Sequence, residues 1–127
     1  MMKLNSKMTI RGTFKVPIYN CQVNIIVSDN LKLIINNLFR KHNYHNDGQE
    51  VGALCYNPSD AEFGVYYLLF DKSELCLNFM NHEKSHLIEY ILEDRGIKAK
   101  DEVRSFLDGF LSDKIHSFFK QRKIKLK

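Results

Sequence analysis

The chain has 127 residues, 44% of them hydrophobic and 27% charged, with a formal net charge of +4. That is enough for one core and too little for two, and the basic excess is too small to imply a nucleic-acid partner by itself. No apolar run approaches the length of a bilayer span, and residues 1–13 lack the apolar centre of a signal peptide. The three cysteines, Cys21, Cys55 and Cys76, are odd in number and widely spaced, which predicts buried free thiols in a reducing compartment, with the cytoplasm as default.

Residues 1–13 are expected to be loose or an edge strand, and Pro17 confines residues 14–18 to an edge or entry segment. Alternation of Cys21, Val23, Ile25 and Val27 with Gln22 and Asn24 predicts a strand over 19–27. Ser28, Asp29 and Asn30 supply N-cap chemistry for a helix in which Leu31, Ile34, Ile35 and Leu38 form one stripe, ending near Arg40-Lys41. Residues 42–49 read as a polar loop with an Asp-Gly turn, leaving His42 and His45 solvated. Strands at 51–56 and 63–70 are close enough for a hairpin, and the run from Val65 to Phe70 predicts burial on both faces. Asp71 or Ser73 is placed to cap the next helix, 75–94.

That helix carries His82-Glu83-Lys84-Ser85-His86, an H-E-x-x-H motif. Positions i and i+4 share a helix face, so both imidazoles can address one metal ion, while Glu83 stands about 100° round the helix. Two histidines on a metal with an acid beside it is the arrangement that activates water for amide hydrolysis. An apolar arc of Cys76, Leu77, Phe79, Met80, Leu87, Ile88, Tyr90 and Ile91 predicts that the helix packs on the sheet, with Lys84 intruding and forced to snorkel or meet a gap. Arg95-Gly96 stops the helix. A last helix, 101 to about 120, shows the stripe Val103, Phe106, Leu107, Phe110, Leu111, Ile115 and Phe118, followed by a basic tail, 121–127, expected to be loose or an edge strand.

A catalytic zinc takes three protein ligands. Glu93 is about 16 Å along the axis from His82, and Glu89 about 10 Å, so neither can complete the set. Glu102 and Asp113 on the last helix are the remaining candidates, on a stripe Glu102, Phe106, Gly109, Asp113 whose glycine would permit close helix approach. Spacing alone leaves both open.

The stretch from His82 to Leu111, HEKSHLIEYILEDRGIKAKDEVRSFLDGFL, resembles the end of small gluzincin-type zinc metallopeptidases, including short ones encoded by phages and mobile elements. The resemblance rests on H-E-x-x-H, an apolar helix, a Gly-Ile turn, and an acidic pair opening a helix at Glu102-Val103-Arg104-Ser105-Phe106. It covers about the last 40 residues, with Lys84-Ser85 and Ser105 as departures. The elements follow the order β-α-β-β-α-α, one α+β domain over 1–127, and the resemblance implies a zincin-like fold with a mostly antiparallel or mixed sheet of three to four strands. It implies Zn²⁺ held by His82, His86 and Glu102, and Glu83 as base in the attack of a zinc-bound water on a peptide bond. The substrate would be an extended peptide or protein segment added to the edge at 51–56, with Tyr56, Tyr66, Tyr90 or His116 as oxyanion candidates. No membrane or nucleic-acid partner is implied, and nothing in the sequence sets an oligomeric state. A zinc-stabilised module that binds a partner without catalysis is the alternative.

Overall fold

The computed structural model describes residues 8–42, 52–98 and 101–127. The order is β1 (Thr9–Val16), β2 (Cys21–Ser28), α1 (Leu31–Lys41), β3 (Ala53–Tyr56), β4 (Val65–Asp71), α2 (Leu77–Asp94) and α3 (Asp101–Gln121). This is α+β, with one strand more at the front than the expected β-α-β-β-α-α. Residues 9–16 do form a strand, on the edge where a neighbouring Pro17 does no harm.

The four strands lie in the order β1-β2-β4-β3. β1 and β2 are antiparallel, as are β3 and β4, whereas β2 and β4 run parallel, so the sheet is mixed. The parallel pair requires a crossover, and α1 supplies it. Period-2 alternation then sorts the sheet into two faces. Ile26, Tyr56, Tyr67 and Leu69 pack under Leu31, Ile34 and Ile35 of α1. Val23, Ile25, Val27, Cys55, Tyr66, Leu68 and Phe70 face the other way, against Met80, Leu87, Ile88 and Ile91 of α2 and Leu107, Leu111 and Ile115 of α3. The burial of β4 on both faces follows from this two-sided cover.

α1 starts as expected: the Asn30 side chain accepts the Leu33 amide at 3.4 Å. α2 does not. Its N-cap is Cys76, which makes no side-chain cap, while the Asp71 carboxylate accepts the amide and hydroxyl of Ser73 in a local turn. Cys76 is half-exposed, so of the three unpaired thiols only Cys21 and Cys55 are buried. Leu77 is exposed as well, and Leu92 takes a core place in α2.

His42 is a further correction. It is buried at the end of α1, its Nδ1 2.7 Å from the Tyr56 hydroxyl and its Nε2 2.5 Å from Glu62, which also accepts from the Tyr67 hydroxyl at 3.1 Å. The imidazole is drawn in because Tyr56 and Tyr67 expose hydroxyls on the α1 face of the sheet that need partners. His45, the Asp-Gly turn and Val51 lie outside the described residues.

The tail is not loose. Ile124 is buried in the core, and the Lys127 amide donates to the Leu75 carbonyl at 2.9 Å. None of the described helices is long and apolar enough to cross a membrane.

Candidate metal centre

α2 lies against β3 and β4, with α3 along its other flank. Its buried side holds Met80, Glu83, Lys84, Leu87, Ile88, Ile91 and Leu92. His82 and His86 fall on the opposite, exposed side. Their Nε2 atoms are 3.1 Å apart, with the rings edge to face at 4.7 Å between centroids. Two Zn–N bonds of about 2.0–2.1 Å at a tetrahedral angle separate their nitrogens by about 3.3 Å. The two rings hydrogen-bond to each other at 3.1 Å, which is also close to the separation one shared ion would need.

Glu83, one residue on, turns inward and is only 8% exposed. It approaches β3 and Tyr90. Burial pushes the Cys55 thiol well up, and the neighbouring Glu83 charge pushes it further. Tyr90 is raised by burial and by Cys55, Glu93 and Glu83. Tyr90 also stacks on His86, 24° from parallel at 6.4 Å. Of the four oxyanion candidates it is the one beside the histidines. Tyr56 is on the α1 face with His42, and Tyr66 donates to Asp94 at 2.7 Å near the far end of α2. His116 is exposed on α3.

The expected third ligand does not join. Among the described residues no group of three His, Cys, Asp or Glu side chains is placed to hold a metal. The reason lies in how α3 is seated. Leu107, Leu111, Ile115 and Phe119 are buried, whereas Glu102, Phe106, Gly109 and Asp113 are all exposed. Gly109 has nothing within 4 Å of where a Cβ would stand, so it marks no close helix approach. The side of α3 that meets α2 carries Arg104, Asp108 and Ser112 instead. Lys84 Nζ donates to the Ser112 hydroxyl at 2.7 Å and pairs with Asp108 at 3.0 Å, while Arg104 pairs with Glu89 at 2.7 Å. Lys84 thus lies at a gap in the packing, as expected, with its stem buried and its ammonium paired. The sequence reading missed Asp108 and Ser112 as its partners, although both lie one helical turn apart on one face of α3.

A groove of about 520 Å³ follows this seam, lined by Asn81, Lys84, Ser85, Ile88, Arg104, Ser105 and Asp108. It sits beside the histidine face. On the other flank of α2, β3 is an edge strand of the sheet among the described residues, and the Phe79 ring packs so close to Gly52 that a Cβ there would have to displace it.

Compared with family models, curated proteins and solved structures, the chain matches none.

Proposed function

We propose that this chain is a zinc-dependent metallopeptidase of the zincin type, acting on peptide or protein substrates in a reducing cytoplasm. The observation that carries the reading is the convergence of His82 and His86, 3.1 Å apart at Nε2 on an exposed helix face. Zinc held there would acidify a water towards neutrality and polarise the substrate carbonyl. Glu83 is the base that the motif implies, and to take and return the proton it has to turn out from its buried position toward the exposed histidines. Tyr90 fixes the His86 ring by stacking and is the oxyanion donor at hand. The free edge of β3 accepts an extended peptide alongside α2. Glu102 remains the third ligand that the resemblance implies, and reaching the histidines requires α3 to turn the face that is now exposed toward α2.

That requirement favours a second reading, a zinc-holding module that binds a partner without hydrolysing it. The Glu83→Gln variant separates the two. In a peptidase it binds zinc as wild type does and loses about 10²–10⁴-fold in hydrolysis of an unstructured protein substrate. Wild type that binds zinc yet cleaves no peptide library, with Glu83→Gln indistinguishable from it, sinks the peptidase reading.

A further inference from the structure

The histidine pair has a property that its motif does not require: it is displayed outward, with two ring nitrogens 3.1 Å apart at the surface. Both residues are exposed, and so are Asn78, Asn81 and Ser85 beside them, short side chains that let another backbone approach. No third ligand from the described part of the chain stands over the pair. Zinc bound there keeps two of its four tetrahedral positions open to whatever reaches the surface.

We propose that a second copy of this chain fills them, so that one zinc ion is shared by His82 and His86 of two α2 helices related by a two-fold axis through the metal. The self-complementarity comes from the site: one patch presenting two ligands needs an identical patch to reach four. The acids on the same face, Glu89 and Glu93, lie toward the C-terminal end of α2, where Glu89 pairs with Arg104 at 2.7 Å, and an antiparallel crossing centred between the histidines sets both toward the Asn78 end of the other helix. A four-histidine sphere is closed and leaves no position for substrate. The dimer is then a form without hydrolysis, whatever completes the site in a single chain. The inference shares with the peptidase reading the two histidines, but neither Glu83 nor Glu102.

The test is sedimentation velocity of the full chain across a Zn²⁺ titration, with zinc counted per chain. The expected result is a twofold rise in mass from the 15.0 kDa monomer, complete at one zinc per two chains and reversed by a chelator. His82→Ala and His86→Ala, at exposed positions where circular dichroism will confirm an intact fold, should remain monomeric with zinc. Glu102→Ala should dimerise as wild type does. One zinc per monomer, lost in Glu102→Ala, overturns the shared site and leaves the peptidase reading intact. A half-stoichiometric dimer whose diluted monomers hydrolyse nothing leaves the shared site and removes the peptidase. A dimer that persists in His86→Ala, or without metal, also overturns the proposal.

Discussion

Ile18, in the turn from β1 to β2, has φ +75° and is 82% exposed. A β-branched residue in the left-handed region costs about 1–2 kcal/mol, and burial does not offset it here. Glycine adopts this conformation freely, so Ile18→Gly should raise stability by about 0.5–1 kcal/mol after its own entropy cost, read as a higher denaturant midpoint at unchanged slope. An unchanged or lower midpoint means that Ile18 makes a contact that compensates the strain. Glu62 offers a second test at this scale. Burial of its carboxyl acts upward, but hydrogen bonds from His42 and Tyr67 and the charges of Lys41 and His42 outweigh it, so its pKa lies below the ordinary value. A folded-state pKa below the unfolded one stabilises the protein while the group is ionised. The contribution is complete above the unfolded value near 4.5 and is lost as pH falls through the folded value. Glu62→Gln should therefore be less stable than wild type at pH 7, and the gap should close at the acid end of a pH series of urea melts. A gap that stays constant from pH 7 to below pH 4 means the ionised form is not what stabilises.

Among the elements, those with a single unambiguous apolar pattern were legible in the sequence. β4 reads as a continuous apolar run and is buried on both faces; α1 has a single stripe and an Asn cap, and both formed as expected. α3 was harder for a physical reason. It carries two overlapping apolar arcs, one through Phe106 and Phe110 and one through Leu107, Leu111, Ile115 and Phe119, and only the second is buried. Choosing between them decides whether Glu102 faces α2 or solvent; burial of Leu107, Leu111, Ile115 and Phe119 makes the choice, and Lys84, bonded to Asp108 and Ser112, lies along the resulting seam. An ion pair across 24 residues leaves no periodic trace. The Lys84–Asp108 pair is asymmetric in exposure, 10% against 56% at the side chains. Asp108→Ala should cost about 1 kcal/mol, because Ser112 and solvent still serve the ammonium. Lys84→Met removes the buried charge and should be neutral or stabilising. If Lys84→Met instead loses several kcal/mol in chemical denaturation, the pair contributes more than its solvent exposure allows, and α3 is held chiefly by it.

For the molecule as a whole, the sheet is covered by α1 on one side and by α2 with α3 on the other, and the last residues close the second side. After α3 the chain turns at Lys123, with φ +57°, inserts Ile124 into the core and brings the Lys127 amide to the Leu75 carbonyl, just before α2 begins. The alternating basic and apolar letters of 121–127 were compatible with a solvated tail, since one buried isoleucine among lysines carries little pattern. Its burial depends on a cavity that only the assembled helices create. Deleting residues 122–127 should therefore act as a core lesion. Ile124 alone accounts for about 1.5–3 kcal/mol of lost apolar burial, and the Leu75 carbonyl loses its partner. The truncated chain should melt well below the full chain at matched pH and salt, and Ile124→Ala should reproduce most of the loss. Replacing Lys123 and Lys125 with Gln, which removes two exposed charges and leaves the packing, should change the melting temperature little. If the two lysine changes match the truncation and Ile124→Ala is silent, the segment acts through its charge and not as the strap that joins the end of α3 to the start of α2.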